Sequence, residues 1–467
     1  MQITLTSSFW MFLLILLLAL QLLLVLILIV KPVLRYLVGQ QISDFVNRLL
    51  SDKYTQNLME LWPAGKRISV LNILETGFRA QNGKIITRPL GSPKHFPGFD
   101  NLMFAPQLMT RLSLPESAPM NMQVTIGPKA NKPLIINIPI MIGAMAYGIA
   151  LSEEAKRALA RAAKTLQTNT CSGEGPFLPE ERTEAGKYTL QISRWAWGAR
   201  TQEQIDSADM LEVQMGQGAD MGAVSMEAVD FEGRAQELSG LAPDEPAIAF
   251  PAPPGIQKQS DWPVFMKNLR KKSNGIPIAL KLMATGHLED DLAAALKLGF
   301  DAVIIDGAQG GSHATTPIKQ DDFGIPSLFA LMRAVRFLNK QGVCDRVSLI
   351  VAGGYFTPGE CLKAIALGAD AIYMATVPLL ALVHNQVNKV VPWEPPTTLV
   401  FYDSPSKSKL DIDQAATSVV NTITAMVLEM EEGMRALGKA SLKELNPDDL
   451  VALDTLTAEV TEVKRIY

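Results

Sequence analysis

The chain has 467 residues and a formal net charge of −4 at neutral pH, with a pI near 5.8, so it lacks the broad cationic footprint that nucleic-acid binding rests on, and no nucleic-acid partner is expected. Hydrophobic residues make up 48% and charged residues 19%, a globular balance that excludes a disordered or fibrous chain and suits one large core with an extension. The cysteines, Cys171, Cys344 and Cys361, are too few and too scattered for a disulfide framework or a four-thiolate metal site, which points to a reducing compartment.

The first element is an apolar run from Phe9 to Val30, broken only by Gln21. As a helix it covers about 33 Å, against a hydrocarbon core of roughly 30 Å. Met1 to Ser8 carries no charged side chain, unlike the basic start of a signal peptide, so cleavage is not expected. Positive charge follows the run, at Lys31, Arg35, Arg48 and Lys53. Residues 1–31 are therefore expected to form a single-pass membrane anchor with the body in the cytoplasm. From Pro32 to Leu61 apolar and charged residues alternate at near-helical spacing, which predicts an amphipathic stalk. It opens an extension, residues 32–133, expected to pack on the body, with a place on the membrane surface as the alternative.

From Leu134 onward short apolar runs alternate with helical patterns such as SEEAKRALARAAKTL and PGECLKAIALG, the mark of parallel βαβ units. Eight strands are predicted, near IINIPIMIGAM, LQTNT, YTLQIS, MLEVQM, IPIALKLMA, AVIID, SLIVAGG and AIYMAT. The expected fold is α/β, a (β/α)8 TIM barrel over residues 134–440, followed by a helical tail, 441–467. An open doubly wound sheet is the rival, but no strand leads directly into a dinucleotide-type glycine fingerprint.

Such barrels keep their chemistry at the C-terminal ends of the strands. There the sequence places GAMAYG (Gly143 to Gly148), CSGEGP with Glu174, GQGAD (Gly216 to Asp220), Lys281 inside ALKLMA, DGAQGGSHATTP from Asp306, AGGY with Gly353 and Gly354, and MATV around Ala375 and Thr376. Glycines after the seventh strand and amides after the eighth suit a phosphate group. Glu174 orients an amino or ammonium group or caps its loop, and Lys281 either faces a developing negative charge or pairs with a structural acid. The four histidines, His95, His287, His313 and His384, are too dispersed for a metal triad, and His313 is the weaker candidate among site residues.

GAMAYG, SEEAKRALARAAK, SGEG, GQGA, LKLMA, DGAQGG, AGG and ALGAD occur in the order seen in the FMN domain of glutamate synthases, which the chain resembles from Pro139 to Ala381. The resemblance implies an FMN-dependent oxidoreductase that reduces a 2-oxoglutarate-derived imine to glutamate. It places Ala144, Met145 and the SGEG loop (Ser172, Gly173, Glu174) along the flavin ring, with Gln217 beside it and Lys281 at the pyrimidine edge. Gly310, Gly311, Gly353, Gly354, Ala375 and Thr376 would enclose the phosphate. A cation at that edge stabilises reduced flavin, so Lys281, Glu174 and Gln217 form the expected catalytic set.

Three departures modify the expectation. No cysteine follows Cys361, so no iron–sulfur cluster is expected and electrons would come from a separate donor protein or a reduced nicotinamide. Met1 leads straight into the apolar run rather than into a glutaminase nucleophile, so nitrogen is expected from external ammonia or an amine. The family's GAKPG-type loop reads GADMG, with Asp220 in place of lysine. Two alternatives stay open: another FMN barrel enzyme of hydroxy-acid or nucleotide type using Cys171, and a catalytically silent flavin-binding protein.

Overall fold

The computed structural model describes residues 7–218, 222 and 224–467, and the chain divides into two units, Met1–Ile86 and Thr87–Tyr467. In the first, helix α1 (Ser7–Ser51) runs without a break through Pro32. The apolar run and the first part of the stalk are thus one helix, long and apolar enough to cross a membrane. Asn57 closes its end by donating from Nδ2 to the Leu49 carbonyl. Helices α2 (Leu61–Ile68) and α3 (Val70–Asn82) follow, α3 being capped by the Ser69 side chain and ended by Gly83 in the left-handed region.

The second unit is built on eight parallel strands: β1 (Ile140–Ile142), β2 (Asn169–Cys171), β3 (Lys187–Ile192), β4 (Met210–Gln214), β5 (Ile278–Met283), β6 (Ala302–Asp306), β7 (Ser348–Ala352) and β8 (Ala371–Met374). Each pairs with its sequence neighbour from β2 through β8, and β8 pairs back onto β1. This order brings β1 and β2 to the two edges of the sheet, and their approach makes it a nearly closed barrel. Between β1 and β2 a looser seam replaces the ladder: the Thr168 hydroxyl donates to the Ile140 carbonyl at 2.6 Å, and the Asn137 N–H donates to the Gln167 carbonyl at 3.0 Å.

The strands are buried along almost their whole length because both faces are covered, with polar residues on β2 to β5 such as Asn169, Gln191, Glu212 and Lys281 buried among the apolar ones. The outer layer comprises α4 (Glu153–Thr165), α5 (Trp262–Lys272), α6 (Leu288–Leu298), α7 (Ser327–Gln341), α8 (Pro358–Ala366), α9 (Thr376–Val383) and α10 (Ile412–Ala436). Ser152 caps α4 and Thr357 forms a capping box with Glu360 on α8, each satisfying amides that the helix start leaves open. Helix α4 is rich in small residues, with Ala155, Ala158, Ala162 and Ala163 buried, and α10 packs closely against this helix.

A hairpin, Val124–Ile126 with Leu134–Ile136, precedes the barrel, and its Gly127 N–H donates to Ser348 Oγ at the start of β7. Strand Leu102–Phe104 pairs antiparallel with Leu450–Ala452, so the lead-in and the tail share a ladder before α11 (Thr455–Thr461). Between β4 and α5 an insertion carries a second small core. It packs against the segment that follows β3, where Trp197 stacks between Trp195 at 5.2 Å and Phe231 of the insertion at 5.3 Å.

Candidate active site

Successive strand residues face opposite sides. On β5, Leu280 and Leu282 face the helices α5 and α6, which turns Lys281 inward at 3% exposure. Its ammonium donates to Gln217 Oε1 at 3.2 Å and lies 3.9 Å from Asp306 Oδ2, at the end of β6. Burial works against a charged lysine, yet the carboxyl groups of Asp306 and Glu212 outweigh it and hold the Lys281 pKa above its usual value. Burial likewise raises the Asp306 pKa, with Lys281 opposing. Asp306 Oδ1 has no hydrogen-bond partner.

Deeper in the barrel, Glu212 on β4 accepts from Gln191 Nε2 at 2.6 Å and from the Tyr373 hydroxyl at 2.9 Å. Cys171 on β2 lies 3.8 Å from the same carboxylate. Burial first, and Glu212 second, push its thiol well above the usual value, so Cys171 offers no ready thiolate.

Two contiguous lobes open at the C-terminal end of the strands, sharing Ala144, Gln217, Gly311, Ala375 and Thr376 as walls. The smaller, about 60 Å³, is lined by Lys281, Asp306, Gly310, Gly353 and Gly354. Gly353 and Gly354 have φ of +94° and +79°, a conformation that L side chains rarely adopt. Helix α9 begins beside them with Ala375 as its cap residue and no side-chain cap, leaving its first amides open to a ligand. A Cβ on Gly310 would collide with the Asp306 carboxylate and the Gly218 backbone.

The larger lobe, about 120 Å³, holds Met145, Glu174 and His313 together with Leu90, Ile149, Leu151, Leu379 and Phe401. The Glu174 loop is held by the Trp197 indole, which donates to the Glu174 carbonyl at 2.8 Å. The His313 ring packs edge-on to Phe401 with centroids 4.3 Å apart, its Nδ1 has no hydrogen-bond partner, and Nε2 lies 4.0 Å from Asp403. Burial lowers the His313 pKa and Asp403 only partly offsets this, so the ring is neutral near pH 7.

Of the residues expected in this site, Ala144, Met145, Glu174, Gln217, Lys281, Gly310, Gly311, Gly353, Gly354, Ala375 and Thr376 line one lobe or both. Ser172 and Gly173 stand behind the wall. The Ser172 hydroxyl bonds the Gly173 carbonyl and the Gln191 N–H, and a Cβ on Gly173 would meet the Met145 carbonyl carbon at 2.5 Å. Asp220 lies outside the described residues.

Sequence reasoning missed several participants. Buried Lys156 donates to the carbonyls of Met145 at 2.6 Å, Cys171 at 2.9 Å and Ser172 at 3.2 Å, and pairs with Glu181 at 2.9 Å. It thereby ties the ends of β1 and β2 together. Its only signal was a lysine on the small-residue face of α4. Leu90, with φ +67°, comes from outside the barrel and is placed by its N–H donating to the Ser312 carbonyl at 3.0 Å. Nothing in the sequence marks it.

The family model described as "Conserved region in glutamate synthase" matches residues 97–440. The chain is 30% identical over 418 residues to the "Glutamate synthase large subunit-like protein" of Rhizobium meliloti (strain 1021), covering 82% of this chain and 91% of that one. It is 26% identical over 440 residues to the "Archaeal glutamate synthase (NADPH)" of Methanocaldococcus jannaschii, covering 86% and 84%. Among solved structures, a mutant flavocytochrome b2 with pyruvate bound matches with a TM-score of 0.51 at 15% identity, covering 81% of this chain and 83% of that chain. At that identity the likeness is one of fold.

Proposed function

Because the chain belongs to the glutamate synthase family, whose conserved region spans residues 97–440, we propose that it is an FMN-dependent oxidoreductase that forms glutamate or a related amino acid by reducing an imine, with ammonia or an amine as the nitrogen source. The observation that carries this reading is the smaller lobe, where a glycine and helix-start cradle adjoins the buried Lys281–Gln217 pair. The residues present fit the cofactor. The amides around Gly353, Gly354 and Thr376 suit its phosphate, and the small walls at Ala144 and Gly311 leave room for a flat ring where the two lobes join. When bound, reduced FMN supplies a hydride to the carbon of the C=N group.

The protein's own groups do the rest. Lys281 would supply positive charge to offset the negative charge that reduced flavin gains, and Gln217 fixes the direction of that ammonium. Glu174 holds a substrate nitrogen in its protonated form, which makes the neighbouring carbon more electrophilic. The apolar walls of the larger lobe exclude water from the reacting carbon. The electron donor in this reading is a separate protein or a reduced nicotinamide, NADPH being the one in the archaeal relative's name. Helix α1 serves as a membrane anchor, and Lys31, Arg35, Arg48 and Lys53 after its apolar run support a cytoplasmic catalytic unit.

The test is anaerobic. Detergent-solubilised protein is photoreduced and mixed with 2-oxo acids plus ammonium or an alkylamine. Reoxidation of the flavin with formation of the matching amino acid is expected. Flavin that reduces but is reoxidised by no such pair would replace this reading with a non-catalytic flavin carrier.

A further inference from the structure

On the imine-reducing reading above, an imine has to form before it can be reduced. Ammonium has no lone pair to offer a carbonyl carbon, so a base must first take one of its protons. The hydroxyl of the resulting carbinolamine then needs a proton to leave as water. A group that is neutral at rest and exchanges a proton readily can serve both needs.

His313 stands where such a group is required, on the loop after β6 and in the wall of the larger lobe. That loop is held by the segment leading into the barrel. The Leu90 N–H donates to the Ser312 carbonyl at 3.0 Å, and the Arg88 N–H donates to the Thr315 carbonyl at 2.9 Å. Phe401, against whose ring the imidazole packs edge-on, is fixed in turn by its bridge to Leu151. The position of the ring is therefore set from two sides.

Its two nitrogens have unlike surroundings. Nε2 lies 4.0 Å from the carboxylate of Asp403, a side chain 74% exposed, so this edge has a route to solvent. Nδ1, on the opposite edge, is buried and has no hydrogen-bond partner among the described residues. A carboxylate on the Nε2 side favours the tautomer with its proton there, which leaves a lone pair on Nδ1. A buried acceptor without a donor is unfavourable, and an N–H group of a ligand in the lobe would relieve it. The other histidines are placed differently: His95 and His287 are exposed, and His384 Nδ1 lies against the Ala381 carbonyl.

We propose that His313 is the base and acid of imine formation in the larger lobe, acting on ammonium or a primary alkylammonium and a 2-oxo acid. Nδ1 takes one proton from the bound ammonium, and the lone pair so freed forms the C–N bond at the 2-oxo carbon. After a proton shift within the adduct, the C–O bond breaks and the proton held by His313 completes the departing water. One carbonyl and one ammonium give one iminium ion and one water, with His313 restored and no change of oxidation state.

The test separates making the imine from reducing it. Full-length, flavin-loaded protein in detergent is photoreduced anaerobically, and reoxidation is followed with 2-oxoglutarate or pyruvate plus ammonium, and with 1-pyrroline-2-carboxylate, a cyclic imine that arrives already formed. Wild-type flavin is expected to be reoxidised by both. His313→Gln is expected to slow the ammonium-dependent reaction at least about 100-fold and the cyclic imine less than about threefold, with flavin content and melting temperature unchanged. An equal loss with both oxidants, no loss with ammonium, or wild-type reoxidation by only one of the two would overturn the proposal. Wild-type flavin that neither reoxidises would instead overturn the imine-reducing reading on which it rests.

Discussion

Lys281 Nζ lies 3.9 Å from Asp306 Oδ2, with both groups buried at the mouth of the barrel. The lysine therefore serves an acid of the scaffold as well as facing the cleft, and the two roles can be separated. Lys281→Met alone leaves a buried carboxylate uncompensated, a change that typically costs about 3–5 kcal/mol. It is expected to lower both the melting temperature and the flavin reduction potential. In Lys281→Met/Asp306→Asn the melting temperature is expected to recover while the potential stays low. Recovery of both, measured by thermal unfolding and spectroelectrochemistry, would assign Lys281 to the scaffold alone.

At Gly354 two causes act together. The φ of +79° disfavours any side chain, and a Cβ would come 2.5 Å from Gln309 Cβ, the residue that accepts from the Ser327 N–H at 2.8 Å. Gly354→Val is expected to lose flavin on gel filtration, whereas Gly359→Ala on α8, whose new Cβ meets only Thr357 Oγ1 at 3.9 Å, is expected to retain it. Full flavin retention by Gly354→Val would remove the phosphate cradle from the account.

Asp370, at the foot of β8, supplies a pH dependence. Burial raises its carboxyl pKa to about 6, with the Leu349 N–H partly opposing at 2.7 Å. The folded state thus binds a proton more readily than the unfolded chain between about pH 4 and 6, and this group's contribution to stability falls as pH rises through that window. Asp370→Asn is expected to be more stable than the parent at pH 7.5, by roughly 1–3 kcal/mol, and to lose that advantage near pH 4. Denaturant midpoints at the two pH values decide it, and an advantage that does not change with pH would contradict it.

Helix α1 covers about 67 Å at the usual rise per residue, roughly twice the hydrocarbon thickness of a bilayer. The apolar half, Phe9–Val30, is expected to span, with the remainder reaching into the cytoplasm. Protease added to intact cells should spare the catalytic unit and digest it only after lysis. Digestion from outside would reverse the orientation.

Strands such as β6 and β7 were legible in the sequence because a parallel strand covered on both faces is mostly apolar, and the AVII of AVIID and the LIVA of SLIVAGG satisfy that. The glycine cradle was legible for a related reason, since positive φ and close backbone approach leave few other residue types. The charge network was not. Glu212 meets Gln191 and Tyr373 from strands far apart in sequence, and Lys156 reaches three carbonyls from a helix face that reads as plain packing. Ser172 and Gly173 sit in a strand-end motif, yet the bonds that Ser172 accepts from Lys156 and from the Gln191 N–H hold them behind the wall of the cleft, which no spacing rule reveals.

The most direct measurement is the flavin content of the detergent-purified chain, released by denaturation and identified by mass. The account predicts about one FMN per chain, non-covalently held, a single flavin being what one phosphate cradle accommodates. A colourless protein that takes up no FMN when the cofactor is supplied in excess would contradict it.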